Sequence, residues 1–330
     1  MPELPDVDVY VEHITTRTKG HAIEGIRLAS PFVLRTADPP LATIYGRKVA
    51  SVARVGKRIV LGFPGAKKSD GKLNLVIHLM VAGRFRWNDE KGAKIPGRLG
   101  LAAFDFDSGT LILTEASTKK RASIHLVSDA GLDALNPGGM EVLGSKVSDF
   151  AAKLRSENHT LKRSLTDPHL FSGIGNAYSD EILHHAQMSP VKLTSRLTDA
   201  EIARLHHSID VVMNEWRDRL RKESGEKFPE KVTAFRPEMA VHGKYGKPCP
   251  RCGGPVQRIR YADNEMNYCP SCQTDGKLLA DRSLSRLMRG DWPKTLEELE
   301  AKKEANRAVV APPRKGSIAE RAASFIPKRG

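Results

Sequence analysis

Cysteine is scarce in this chain, with four residues in 330. All four fall in two pairs, Cys249-x-x-Cys252 and Cys269-x-x-Cys272, with sixteen residues between the pairs. No thiol is left over for a disulfide framework, so the pattern fits a reducing compartment and a metal. Long apolar runs are missing too. No stretch of roughly 18 apolar residues offers a membrane span, and no basic-then-apolar leader precedes the first folded segment. These absences predict a cytoplasmic protein without a membrane partner. Acid is short relative to base: 39 Asp and Glu stand against 53 Lys and Arg, a net charge of +14 and a pI of about 9.7. The excess favours a polyanionic partner, although charge alone also suits a generally basic soluble protein.

What is present is enough for two cores, since 40% of the residues are hydrophobic. Asp6 to Thr16 reads as a short first helix, with Pro5 near its first turn. Seven β-type runs follow: Ile23–Leu28, Lys48–Val55, Ile59–Phe63, Leu73–Val81, Leu99–Phe106, Thr110–Thr114 and Ser123–Val127. Their spacing and Gly/Pro/Asp breaks predict a sandwich or barrel. Asn136-Pro137-Gly138-Gly139 reads as a linker. Beyond it the pattern is helical, at Phe150–Leu154, Thr160–Leu165, Asn176–Ala186 and from Thr198 onward. There Thr198 and Glu201 form a capping-box signature, and Leu205, Ile209, Val212, Trp216 and Leu220 step at three and four. Arg221 to Arg236 reads as a mobile loop. Ala280–Met288 and Leu296–Ala305 predict two more short helices, and the tail from Val309 to Gly330 has a disordered composition.

The chain opens Met1-Pro2-Glu3-Leu4-Pro5-Asp6. Removal of Met1 would leave Pro2 with a free secondary amine next to a carboxylate. An α-amino group has a pKa near 8, far below that of lysine, so much of it is nucleophilic at neutral pH. Attack by a secondary amine on a sugar aldehyde carbon gives a cationic iminium directly, an electron sink. With a basic chain, this predicts covalent chemistry on DNA.

The paired CxxC elements are the strongest single motif. Four thiolates presented from two tight turns make a closed tetrahedral site for one structural Zn²⁺, which would hold together a hairpin too small for its own core. Arg258, Arg260 and Tyr261 lie between the pairs and suit a phosphate backbone, although a purely structural zinc ribbon would look the same. Ser172-Gly173-Ile174-Gly175-Asn176-Ala177-Tyr178 is a turn entering a helix, where backbone N–H groups favour anions. Lys57, at the bend Gly56-Lys57, would ordinarily be a solvated turn residue. His78, among apolar neighbours, would ordinarily be a buried histidine.

In this order, PELPDVD, GK at 56–57, IHL at 77–79, GIGNAYSDEIL at 173–183 and YCPSCQ at 268–273 resemble the formamidopyrimidine-DNA glycosylase and endonuclease VIII family of base-excision repair enzymes. The resemblance covers about residues 2 to 274. It implies an α+β protein: an N-terminal β-sandwich with flanking helices (2–135), a helix–two-turns–helix domain (140–236) and a β-hairpin zinc finger (240–274). Residues 275–330 form an extension outside that core. It further implies Pro2 as nucleophile, Glu3 as acid/base, Lys57 as the essential lysine near the lesion phosphates, and His78 and Asn176 as phosphate contacts. Glu181 takes a structural role. The partner would be double-stranded DNA carrying damaged bases or abasic sites, bound by a monomer.

Departures from the family pattern carry expectations of their own. Asn264 stands where the finger has an arginine, so Arg258 or Arg260 would have to compensate. His242 replaces a tyrosine before the finger. Val81, with Met80 beside it, falls at the methionine of the family's void-filling wedge. The loop Ser117-Thr118-Lys119-Lys120-Arg121 has no aromatic for that wedge, but its cations Lys119, Lys120 and Arg121 can face phosphate or enter the groove. Glu223–Thr233 lacks the Gly- and Thr-rich pattern that covers an extruded oxidised purine, which points away from 8-oxoguanine. The expected activity is base excision through a Pro2 imine followed by β,δ-elimination. The alternatives are an abasic-site lyase with weak glycosylase activity and a non-catalytic zinc-dependent binder of damaged DNA.

Overall fold

The strands of the N-terminal half share one interior: some, such as 123–128, alternate in burial, whereas others, such as 109–115, are buried along their whole length. In the computed structural model, residues 1–65, 71–230, 232–233, 235–261, 264–280 and 292–310 are described. The helix α1 (Leu4–Thr18) leads into eight strands: β1 (Ile23–Leu28), β2 (Ser51–Val55), β3 (Arg58–Phe63), β4 (Leu73–His78), β5 (Gly83–Asn88), β6 (Gly100–Phe106), β7 (Gly109–Glu115) and β8 (Ser123–Ser128). They form two antiparallel four-stranded sheets, ordered β1-β6-β7-β5 and β2-β3-β4-β8. Between the sheets lie Ile23, Phe85, Phe104 and Leu113 from one and Ile59, Leu75, Ile77 and Ile124 from the other, with Tyr10 and Ile14 of α1 closing the side. This is the expected sandwich.

Two strands show how the fold departs from the sequence expectation. The strand β5 was not anticipated, because of its six residues only Gly83 and Phe85 are buried. The run from Leu73 stops at His78 rather than Val81, because the chain turns through Leu79–Gly83: the Gly83 amide donates to the Leu79 carbonyl at 2.8 Å, and Met80 takes a left-handed φ of 51°.

After α2 (Asp129–Leu135), a second core is built by α3 (Val147–Arg155), α4 (Leu161–Thr166), α5 (Asn176–His185) and α6 (Asp199–Ser224). Phe150, Leu161, Phe171, Tyr178, Ile182, Leu205, Ile209 and Trp216 fill it. The capping box of α6 is reciprocal: the Glu201 amide donates to Thr198 Oγ1 at 3.2 Å, and the Thr198 amide donates to Glu201 Oε2 at 3.0 Å. Such caps contribute about 1 kcal/mol. The helix continues through Ser224, so the expected mobile loop begins later and its described part is anchored. Val232 belongs to the sandwich core, and Phe228 packs on Tyr10 with ring centroids 5.8 Å apart.

Ion pairs join the two halves. Asp8 and Glu12 on α1 accept from Arg217 and Arg221 on α6, and Arg54 donates to both Asp8 and Glu141. The hairpin β9 (Gln257–Tyr261) and β10 (Asn264–Tyr268), followed by α7 (Pro270–Gln273), packs on α5. A last helix, α8 (Leu296–Val310), falls where one was expected. The helix expected at Ala280–Met288 and the tail after 310 lie outside the described residues. Among the described residues no helix is long and apolar enough to cross a membrane.

Candidate active site

The front of the chain is buried against the start of α5. Pro2 is buried and Glu3 is 1% exposed. Asp6 holds the start of α1 by accepting the Glu3 amide at 3.0 Å. That frees the Glu3 carboxylate to cross to the second core. There Oε2 accepts the Gly175 amide at 2.7 Å and the Tyr178 amide at 3.2 Å, and Oε1 accepts the Ala177 amide at 2.8 Å. A carboxylate taken out of water needs such partners, and the N-terminus of a helix supplies both free N–H groups and a favourable field.

The sequence allows this approach through its glycines. A Cβ on Gly175 would lie 2.5 Å from Glu3 Cδ and 2.7 Å from Lys57 Nζ. Gly173 has a φ of +81°, and a Cβ there would meet Leu4 Cβ at 2.8 Å. The two motifs seen separately in the sequence therefore interlock, and Lys57 of the Gly56-Lys57 bend joins them. Burial lowers the pKa of the Lys57 ammonium, and the neighbouring Glu3 charge opposes that shift.

The amine at the chain terminus, carried here by Met1, is half-buried. Burial lowers its pKa from 8.0, Glu3 and Asp6 pull it back up, and Arg84 and Lys57 add to the lowering. Asp6 itself is pushed up to about 6 by burial. His78 pairs with Arg58 at the end of β4, and burial with the Arg58 and Lys57 charges brings its pKa down to about 4. It is therefore neutral at pH 7, able to offer one N–H to an anion.

Met1, Lys57 and Asn176 line an open cleft of about 1330 Å³ between the two halves. Its other wall carries Arg163, Lys192 and Arg196, which no spacing in the sequence singled out. Lys162 was also missed: it donates to the Asn176 carbonyl at 2.5 Å and to Asp180 Oδ1 at 2.6 Å, steadying the first turn of α5. Its role is created by tertiary contact, and no local signal precedes it.

The remaining candidates separate into exposed and engaged groups. Lys119, Lys120 and Arg121 are all exposed, and Lys120 Nζ also turns back to donate to the Glu115 carbonyl. Arg260 is exposed. Arg258 is held by Glu265 at 3.6 Å and by the Tyr245 ring at 4.5 Å. Asn264 lies at the start of β10. His242 points inward, with Nδ1 2.8 Å from Asp180 Oδ2. Glu181 accepts three amides, from Ala240, Val241 and His242, at 2.7 to 2.9 Å, clamping the approach to the finger.

The four cysteine Sγ atoms lie within 4.8 Å of one another, with Cys249 and Cys272 3.9 Å apart and Cys252 and Cys269 3.4 Å apart. Tetrahedral Zn–S bonds of about 2.3 Å require S···S distances of roughly 3.8 Å. The donors fit one structural zinc, held by Cys249, Cys252, Cys269 and Cys272. With all four positions taken by thiolates, the metal organises the finger and leaves no open position for catalysis.

A buried acid following a terminal amine that lines a basic cleft, with a zinc finger on the same cleft, defines a DNA-processing enzyme. Family models agree in detail: the formamidopyrimidine-DNA glycosylase N-terminal domain matches residues 1–121, its H2TH domain matches 140–219, and the zinc finger found in FPG and IleRS matches 246–274. The chain is 32% identical to the formamidopyrimidine-DNA glycosylase of Desulforamulus reducens over 290 residues, covering 83% of this chain and 99% of the relative. An uncharacterized formamidopyrimidine-DNA glycosylase-like protein of Mycobacterium tuberculosis is 38% identical over 156 residues, 47% of this chain and 95% of that protein. Among solved structures, Lactococcus lactis Fpg in complex with an abasic site containing DNA superposes with a TM-score of 0.71 at 27% identity, covering 82% of this chain and 99% of that one. The chain belongs to the formamidopyrimidine-DNA glycosylase family. Members of this family are DNA glycosylases with abasic-site lyase activity that act in base-excision repair.

Proposed function

We propose that this protein removes oxidised bases from double-stranded DNA and cleaves the strand at the resulting site, with Pro2 as the nucleophile once Met1 is removed. The lesion nucleotide is extruded into the cleft, at a cost of a few kcal/mol that is smallest for damaged pairs. The Pro2 nitrogen bonds to the anomeric carbon as the bond from that carbon to the base breaks, the departing base taking up the amine proton; Glu3 then delivers a proton to the sugar ring oxygen as the bond from the anomeric carbon to that oxygen breaks and the ring opens to the iminium. The resulting iminium acidifies the adjacent sugar protons. Successive β- and δ-elimination then release the strand on both sides, leaving a one-nucleotide gap with phosphate ends. Lys57, His78 and the start of α5 at Asn176 hold the phosphates in register. Lys119, Arg121 and Arg260 bind the backbone farther out. The protein acts as a monomer in the cytoplasm.

The observation that carries this reading is the Glu3 carboxylate, fixed by three amides at the start of α5 next to the half-buried chain terminus and Lys57. A protein that merely bound DNA would have no use for an imine-forming terminus beside that acid. On lesion choice, a mutant of the Lactococcus lactis enzyme has been solved with Fapy-dG containing DNA, and the wild-type enzyme with an oxidised pyrimidine containing DNA. Phe228 and Val232 fasten the described part of the segment after α6 to the sandwich core. Oxidised bases, formamidopyrimidines and oxidised pyrimidines among them, are the proposed substrates. Borohydride trapping on an abasic oligonucleotide, followed by peptide mass spectrometry, tests the nucleophile: the reduced sugar should sit on residue 2, and an adduct on any lysine refutes the assignment. A panel of duplexes carrying each lesion tests the preference.

A further inference from the structure

The two ends of α5 serve two different centres. Its first turn holds Glu3. Near its last turn, His184 Nε2 lies 3.1 Å from Cys249 Sγ, with His184 5% and Cys249 2% exposed. We infer that His184 is a positioning residue for the zinc site, donating its Nε2–H to the Cys249 thiolate, and that α5 thereby ties the zinc finger to the catalytic acid.

The chemistry fixes the direction of this hydrogen bond. A metal-bound thiolate carries no proton, so the ring N–H must be the donor. A buried thiolate gains from such a donor, which spreads its charge and sets its orientation; groups that steady metal ligands in this way change metal affinity by about 10- to 100-fold when removed. From Asn176 to His184 is eight residues, roughly 12 Å of helix axis, a distance a packed helix spans without flexing. Two further contacts fasten the finger along the same line. Asp180 accepts the Asn267 amide and side-chain N–H at 3.2 Å, and Gln273 Nε2 donates to the Met188 carbonyl at 3.0 Å, just past the helix end. The finger therefore grips α5 beside its middle and at its end, while Glu3 is held at its beginning.

The test uses the full-length zinc-loaded protein and separates hydrogen bonding from packing. His184→Gln can keep an N–H near Nε2, whereas His184→Phe fills the space without a donor; His184→Met is the second donor-free replacement should the phenylalanine variant fold poorly. Transfer of zinc to a chromophoric chelator should be about 10- to 100-fold more favourable for the donor-free variant and close to wild type for His184→Gln. Equal zinc retention in wild type and the donor-free variant overturns the inference, as does equal loss in the Gln and donor-free variants. The second arm follows hydrogen exchange at the Ala177 and Tyr178 amides as the chelator strips zinc. Their protection should fall in the wild type on zinc removal; unchanged protection overturns the tie to Glu3. Neither readout depends on catalysis, so the result stands apart from the identity of the nucleophile.

Discussion

Glu3 Oε2 accepts the Gly175 amide at 2.7 Å across 172 residues of sequence. This one hydrogen bond joins two distant motifs of the recognisable sequence pattern, PELPD and GIGNA, into a single site. It also makes the acid separable from the nucleophile by mutation. Glu3→Gln retains an oxygen to accept α5 amides but cannot cycle a proton. Base release should fall by about 10²- to 10⁴-fold, the range for a general acid, while cleavage of a preformed abasic site partly survives. Single-turnover assays on lesion and abasic duplexes measure both, and full base release in the variant would remove Glu3 from the mechanism.

Gly175→Ala should act through space rather than through stability. The added methyl would stand 2.5 Å from Glu3 Cδ and against Lys57 Nζ, so the acid must move. A displacement near 1 Å can reduce rate by about 100-fold. The expected outcome is a large loss of excision with zinc content unchanged and a cooperative melt. Wild-type turnover would mean that the observed Glu3 position is not the working one.

The amine should define the acidic limb of the pH profile. Only its neutral form attacks. Burial disfavours the charged form, and the amine at the terminus is accordingly lowered from 8.0. Pro2 is buried as well, so the same sign applies after Met1 is removed. Abasic-site cleavage should rise with pH and then level off, with a midpoint below that of a solvent-exposed N-terminal proline in a peptide. A midpoint at or above the peptide's would contradict the burial argument. Pro2→Gly retains a primary amine there and should slow the lyase step without abolishing trapping.

Arg258 and Arg260 sit two residues apart and should behave differently. Arg258 is paired with Glu265 and stacked on Tyr245, whereas Arg260 is exposed. Arg260→Ala should reduce the slope of log affinity against log salt by about 1, and Arg258→Ala should change it less. Titration of a lesion duplex across salt concentrations decides it, and equal slopes for both variants would refute the distinction.

Much of this could be read from the sequence because the chemistry is local there. Four cysteines at fixed spacing can do little else than bind a metal, and the α6 cap and its apolar stripe announce themselves within one helix. Contacts made across the fold could not be read in the same way. Nothing around Lys162 shows that it will reach the Asn176 carbonyl, and nothing in His184-His185 marks one ring for the finger. The helix α2 escaped notice because it buries no residue. Lys120 looks like its neighbours in a run of three cations, but the loop folds back and its ammonium is used on Glu115. Length and charge suggested a mobile segment after α6, but two apolar side chains, Phe228 and Val232, were enough to pin it.

The seating of Glu3 on α5 also bears on protein synthesis. A ribosome makes the terminus proposed as the nucleophile first and the cradle of Glu3 much later. Until residue 178 has emerged and docked, the nascent N-terminal lobe carries an amine without its organised partner. Prematurely terminated products should therefore release no bases from duplex DNA. The two lobes expressed as separate polypeptides should regain base release only when mixed.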